Sequence, residues 1–185
     1  HIILAARTLL FVLFMGHWEI SSDLGWIDSF IFSSPSKITL CFLEMLKNRS
    51  LFLHIGITLY ETFINFILVI LLSILAAILL WYSKKLSEIL EPYLVVLNSL
   101  PKSALAPLLI VWLGATSKTI IIAGMSVAIF GSILNLYTAF INVDQEKIKL
   151  IYTLHGNRRH ALTKVVLPSS VPAIISNMKV NIGLC

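Results

Sequence analysis

The chain has 185 residues, of which 58% are hydrophobic and 12% are charged, and its mean hydropathy is +0.93. A soluble domain has about 25% charged residues, so these proportions exclude a soluble globular fold. The net charge of +5 does not indicate nucleic-acid binding, because the basic residues stand between apolar runs and form no basic stripe. The long apolar runs predict one polytopic, all-α integral membrane domain in a lipid bilayer.

The chain begins with an apolar segment and an amphipathic one. Residues 1–18 are predicted to form a first span, which is partial because the sequence starts with His1 rather than Met. A secretory signal peptide is the alternative, but no small-residue cleavage site follows the apolar run. Residues 34–54 are predicted to form an amphipathic helix on the membrane surface, with Ser34 as its N-cap and Pro35 at its first position.

Two uninterrupted apolar segments follow, at residues 55–83 and 118–143. Each is long enough to cross a hydrocarbon core of about 30 Å. Residues 167–185 are predicted to begin a further span, which is expected to be incomplete. Lys and Arg are enriched in the segments that follow residues 83 and 143, so both segments are predicted to face the cytoplasm.

A proline-broken span is predicted at residues 89–114, which brings the expected number of spans to about five. Irregular backbone at membrane depth persists only where it is buried in protein or lines a wet cavity, so this segment is expected near a translocation pathway. The candidate pathway residues are Asn98, Pro101, Lys102, Asn135 and Lys179. An embedded lysine can pair with an anionic solute, but it can also extend to the interface, and the asparagines can instead join helices by hydrogen bonds.

A polar loop at residues 144–166 separates two apolar segments. Asp144 is predicted to cap a first helix, Gly156 to end it, and Asn157 to cap a second short helix that runs into Pro168. The threefold spacing predicts an apolar ridge formed by Ile148, Ile151 and Leu154. Such a ridge suits insertion into a groove on a soluble partner; the alternative is a solvated loop whose charges only fix topology.

The segment NVDQEKIKLIYTLHGNRRHALTKVVLPSSVPAII resembles the signature loop of permease subunits of bacterial ABC importers, in particular the nitrate, sulfonate and taurine type. The upstream segments SPSKITLCFLEMLKN and LEPYLVVLNSLPKSALAPLLIVWLG are similar to the same family. The resemblance implies a helical bundle of the MetI-like type with six spans, a place in the bacterial plasma membrane, and a homodimer. It also implies a cytoplasmic ABC ATPase that binds ATP and magnesium, and an extracytoplasmic solute-binding protein.

The resemblance further implies that residues 144–168 couple the permease to the ATPase. The residues that it assigns to this role are Lys149, Ile151, Leu154, His155, Gly156, Arg158, Arg159, Leu167 and Pro168. Two of them depart from the family pattern: Lys149 stands in the place of an acid, and His155 in the place of a glycine. The turn is therefore predicted to move by one residue to Gly156, and charge reversal at Arg158 and Arg159 is expected to weaken ATPase docking.

The chain contains no phosphate-binding loop of the G-x-x-x-x-G-K-[ST] kind, so energy for active transport is expected from a partner and not from a cofactor of this chain. No catalytic group stands out, and His54, His155 and His160 lack the spacing of metal ligands. Cys41 and Cys185 are interpreted as free thiols. The family resemblance implies a small, anionic solute of the nitrate, sulfonate or taurine kind. A permease for a vitamin precursor and a secondary transporter driven by an ion gradient are the alternatives.

Overall fold

The computed structural model describes residues 2–184 and, apart from residues 2, 29, 102 and 103, their side chains. Every regular element within these residues is helical, which confirms the predicted all-α class. The helices are α1 (Ile2–Asp23), α2 (Ser29–Phe32), α3 (Pro35–Lys47), α4 (Ser50–Tyr82), α5 (Lys84–Ser99), α6 (Lys102–Leu113), α7 (Ser117–Ile141), α8 (Gln145–Thr153), α9 (Arg158–Ala161) and α10 (Leu167–Leu184). The chain divides into two compact units, His1–Thr58 and Leu59–Cys185.

Three helices of the described part of the chain, α1, α4 and α7, are long and apolar enough to cross a membrane. The pair of α5 and α6 makes a fourth if it counts as one span, and its two helices meet at an angle of 95°. The sequence predicted a further span at 167–185, where the structure has α10. Because α10 carries the side chains of Asn177, Lys179 and Asn181, it is less apolar than the three long helices.

In the first unit, α3 begins where the sequence predicts. The Ser34 side chain accepts a hydrogen bond from the Lys37 backbone N–H at 3.4 Å, and proline occupies the first helical position. The N-cap chemistry of serine explains this start, since its oxygen satisfies a backbone donor that has no partner inside the helix. The Ser36 N–H donates to Glu19 Oε2 at 3.0 Å, which joins the start of α3 to α1.

The end of α3 differs from the prediction of one helix over residues 34–54. The helix ends at Lys47, Arg49 has a left-handed backbone with φ of 57°, and α4 begins at Ser50. A left-handed residue cannot continue a right-handed helix. The last residues of the predicted surface helix are therefore the first turn of α4.

In the second unit, α7 packs against α5, α6 and α10. The core is apolar and joins α4 and α7 to the polar loop; its buried members are Ala77, Leu80, Ile133, Leu136, Tyr137, Phe140, Val143, Ile148, Ala161, Leu162 and Val166. Gly124 of α7 lies against the buried side chain of Asn65 in α4, and a Cβ at this glycine would overlap the Asn65 amide. Small residues thus permit close helix packing here.

The broken span separates at one of its three prolines. Leu100 is extended, with φ of −61° and ψ of 143°, and Pro101 precedes the first residue of α6. The residue before a proline is disfavoured in the α region, which explains the break. Pro92 and Pro107 lie inside α5 and α6. Membrane helices tolerate such prolines when other groups form hydrogen bonds with the freed carbonyls.

The second helix of the polar loop, α9, is not a separate short helix. α9 continues through a π-helical turn at Leu162–Val166 into α10, and the Leu167 N–H donates to the Leu162 carbonyl. The widened turn lies directly before Pro168, whose ring would crowd the carbonyl four residues earlier in a regular α-helix. The proline therefore accompanies a bulge and does not end the helix.

Candidate functional site

The first helix of the polar loop is anchored to the core by its inner face. Asp144 accepts from the Glu146 N–H at 2.9 Å, so the predicted cap of α8 is present. Ile148 is only 7% exposed, and Ile151 packs against the same core. The prediction that the ridge inserts into a partner is therefore wrong for these two isoleucines, because they pack against the core of the bundle.

The outer face of α8 carries different apolar residues. Leu150 is 58% exposed and Leu154 is 70% exposed. They lie four positions apart and therefore on one side of the helix, and exposed lysines, Lys147 and Lys149, stand beside them. The loop thus presents two leucines within a basic surface.

The turn after α8 is formed by His155 and Gly156 together. His155 has a left-handed backbone with φ of 59°, and its N–H donates to the Tyr152 carbonyl at 3.1 Å. The Gly156 N–H donates to the Ile151 carbonyl at 2.8 Å. This is the two-bond cap that commonly places glycine at the left-handed position.

The prediction that the turn moves to Gly156 is wrong. His155 itself adopts the left-handed conformation, which histidine enters more readily than most residues. Gly156 is required for a different reason: a Cβ there would lie 2.7 Å from the Ile151 carbonyl oxygen and 2.5 Å from its Cγ2. The left-handed residue of the turn is therefore at the position where the family pattern has glycine, although the glycine of this chain is one residue later.

The second helix of the loop begins with a reciprocal cap. Asn157 Oδ1 accepts from the His160 N–H at 3.0 Å, and the Asn157 N–H donates to His160 Nδ1 at 3.3 Å. This confirms the predicted Asn157 cap and fixes the position of Arg158 and Arg159 in the first turn. At the far end of the loop, Leu167 packs against the core.

Arg158 does not extend freely into solvent. Its Nη2 donates to the backbone carbonyl of Trp81 in the last turn of α4, at 2.8 Å. Its guanidinium carbon lies 5.4 Å from the Trp81 ring centroid and 5.5 Å from that of Tyr82, distances at which a cation is attracted to a ring face. Sequence reasoning missed this contact, since its partners are 77 positions apart.

The predicted pathway residues are not gathered at one place inside the unit. Asn135 and Lys179 are exposed, and Pro101 at the helix break is exposed as well. The side chain of Lys102 lies outside the described residues. Asn98 is half-buried against α7, where a Cβ at Gly131 would lie 3.1 Å from its Oδ1.

The buried polar side chains of the second unit are different from the predicted pathway residues, and the sequence did not predict them. Asn177 and Asn181 are buried on one face of α10, and Asn181 Oδ1 accepts from Ser132 Oγ of α7 at 2.8 Å. Asn65 of α4 is buried too. The spacing of four between the α10 asparagines was the available signal, because polar residues in membrane helices usually face the bundle interior.

Comparison with known proteins places the chain in a family. Residues 69–185 match the family described as binding-protein-dependent transport system inner membrane component. An aliphatic sulfonates transport permease of Bacillus subtilis is 28% identical over 169 residues, which are 90% of this chain and 60% of that protein. A formylaminopyrimidine transport permease of Halalkalibacterium halodurans is 25% identical, with 96% of this chain and 70% of that protein covered.

A riboflavin transport system permease of Chloroflexus aurantiacus is 24% identical, over 94% of this chain and 65% of that protein. Of the Bacillus relative, the chain spans about 60% of the length. The family match covers most of the second unit, including the whole polar loop. With its apolar helices, this chain is a multi-pass membrane protein that belongs to the family of binding-protein-dependent, inner-membrane permease components of ABC importers.

Proposed function

We propose that the chain is a membrane-spanning subunit of an ATP-driven importer and receives energy from a cytoplasmic ABC ATPase through residues 144–168. The observation that carries the proposal is the construction of α8. Its inner side is held in the core by Ile148, while Leu150 and Leu154 stand exposed among lysines on the outer side. Exposed apolar side chains at helical spacing suit a groove on a partner.

The rigidity of this element supports a mechanical role. α8 ends in a two-bond cap, α9 starts in a reciprocal cap, and α9 is continuous with α10. A push on α8 would therefore reach α10 without first deforming a flexible loop. Semi-rigid helices of this kind can change between two packings as the ATPase closes and opens. ATP and Mg²⁺ would bind in the ATPase partner.

We further propose that two permease subunits assemble as a homodimer. Asn135 lies inside the apolar helix α7, yet it is exposed, and Lys179 is exposed on α10. A polar or charged side chain that faces lipid is costly. A second permease, or a pathway between the two copies, would remove these groups from lipid.

The proposed solute is small and anionic and is delivered by an extracytoplasmic binding protein. Support comes from the sulfonate permeases among the relatives and from the exposed cation Lys179 on α10. Two other relatives are named for formylaminopyrimidine and riboflavin, so a vitamin precursor is the competing solute. The ligand that is retained by the solute-binding protein of this importer on purification would separate the two.

The experiment that tests ATPase coupling is co-purification of the ATPase with a permease that carries Leu154→Asp. A buried contact that receives a charge is strongly weakened, so the amount of bound ATPase should fall about tenfold or more. Leu24→Asp is the matched control, because Leu24 is 59% exposed. It lies before α4, and the segment after α4 is the one predicted to face the cytoplasm, so Leu24 is expected on the opposite side. Equal retention of the ATPase by both variants would contradict the proposal.

A further inference from the structure

Two adjacent arginines open α9, and their side chains have different surroundings. The Arg158 guanidinium bonds the Trp81 carbonyl and lies over the rings of Trp81 and Tyr82. Among the described residues, the side chain of Arg159 makes no hydrogen bond or ion pair. The two arginines, which the sequence assigned to one docking role, are therefore not equivalent.

The contact of Arg158 is directional. The Trp81 carbonyl belongs to the last turn of α4, where carbonyl groups have no partner within the helix. This end of the helix dipole attracts a cation, and a hydrogen bond from a charged donor is stronger and more restricted in geometry than a neutral one. Arg158 thus joins the loop to the end of α4 by a contact of defined geometry.

Apolar contacts also join the loop to α4, but they have another character. Leu80 of α4 and Ala161 of α9 belong to the same buried core. Burial of apolar area is less directional than a hydrogen bond, so these contacts mainly hold the two elements together. The hydrogen bond from Arg158 to Trp81 adds a contact of defined geometry between them.

An open cleft of about 480 Å³ lies beside the Arg158 contact. It is bordered by residues of α4, α5, α7 and α8 together with Arg158, among them Trp81, Tyr137, Ile148 and Tyr152. Because the cleft is open, it leaves room for the loop to shift at this place. A directional contact at its border would carry such a shift to α4.

We propose that Arg158 is a positioning residue that transmits movement of the polar loop to the cytoplasmic end of α4. This inference rests on the proposed function, since the movement originates in the ATPase. Arg159 differs from its neighbour in remaining available to the ATPase surface. Removing Arg158 should therefore uncouple hydrolysis from transport without releasing the ATPase, whereas removing Arg159 should act on ATPase binding.

The test compares Arg158→Met, Arg158→Lys and Arg159→Met in the complete transporter, reconstituted in lipid vesicles with its ATPase and its binding protein. Three quantities are measured: the ATPase retained on purification, the stimulation of hydrolysis by binding protein carrying its own retained ligand, and hydrogen exchange in the last turn of α4. Methionine keeps the length of an unbranched side chain but removes the charge and the donors. Lysine keeps the charge and can keep one donor.

For Arg158→Met we expect wild-type retention of the ATPase, a loss of stimulation of about fivefold or more, and faster exchange at the end of α4. Arg158→Lys should recover part of the stimulation of hydrolysis and part of the protection from exchange. Arg159→Met should show wild-type exchange and wild-type stimulation for each bound ATPase, with less ATPase retained. Loss of the ATPase from Arg158→Met, unchanged stimulation, unchanged exchange, or identical behaviour of the two methionine variants would each overturn the assignment.

The failure of this inference is distinguishable from failure of the proposed function. If the wild-type permease retained no ATPase, the proposed function itself would be wrong. Hydrogen exchange at the end of α4 would still compare the two methionine variants in the purified permease. Arg158→Lys keeps the comparison informative if Arg158→Met does not fold.

Discussion

The turn between α8 and α9 predicts opposite effects for substitutions at two neighbouring positions. His155 occupies a left-handed conformation with φ of 59°, which is unfavourable for a residue with a Cβ by about 1–2 kcal/mol. Glycine removes that strain, but its greater freedom in the open state returns about 0.5–1 kcal/mol. The difference is about 0–1.5 kcal/mol, so His155→Gly should stabilise the closed turn by an amount near the middle of that range, about 0.5–1 kcal/mol.

Gly156→Ala should destabilise the same turn. Its new Cβ would lie 2.7 Å from the Ile151 carbonyl oxygen, which is also the acceptor of the Gly156 N–H at 2.8 Å. The clash can be relieved only by displacing the carbonyl from its hydrogen bond. We expect a loss of about 1–3 kcal/mol, the usual effect of overpacking.

The assay is hydrogen exchange, followed by mass spectrometry, of the peptide that contains residues 150–160 in the purified permease. Exchange of hydrogen-bonded amides reports the local opening equilibrium, so His155→Gly should slow exchange about two- to fivefold, and Gly156→Ala should speed it about fivefold or more. His155→Ala is the control, because it removes the imidazole and keeps the Cβ. Faster exchange in His155→Gly, or unchanged exchange in Gly156→Ala, would refute this description of the turn.

Two further predictions concern the packing of α7, and both are checked by the thermal unfolding midpoint of the purified permease in detergent. Gly124→Ala should lower stability by about 1–3 kcal/mol, because its Cβ would overlap the buried Asn65 amide. The same substitution should be much less harmful in an Asn65→Ala background. Equal effects in both backgrounds would contradict the contact. Ser132→Ala should lower stability by about 0.6–1.7 kcal/mol by removing the buried bond to Asn181. Ser126→Ala is its control, since Ser126 bonds a carbonyl of its own helix, and an equal loss in the two serine variants would count against the interhelical role.

Features that depend on neighbouring residues were predictable from the sequence. The serine cap and proline start of α3, the Asp144 cap of α8 and the Asn157 cap of α9 are all present. Each depends on a side chain that satisfies a backbone donor within three positions. The all-α class follows from composition in the same direct way.

Features that depend on distant packing were not predictable. The spacing of Ile148 and Ile151 indicated an apolar face, which was expected to insert into a groove on a partner, but the core of the bundle covers it. The contact of Arg158 with Trp81 joins segments that no local pattern relates. The sequence predicts a second short helix that runs into Pro168, whereas a π-helical turn before that proline joins α9 to α10.

The family pattern was informative about the place of the turn but not about its chemistry. It puts a glycine where this chain has His155, and the sequence predicted a shift to the next residue. Backbone hydrogen bonds to Ile151 and Tyr152 keep the original register. The histidine therefore adopts a strained conformation, because moving the turn would break both bonds.

ATP-driven import by this permease is tested most directly by solute uptake into vesicles. The ligand retained by the solute-binding protein is identified, labelled and offered to vesicles that contain the permease with or without its ATPase. Uptake is expected only when ATP, the ATPase and the binding protein are all present, with no effect of collapsing the ion gradients. Uptake by the permease alone, driven by an ion gradient, would contradict it.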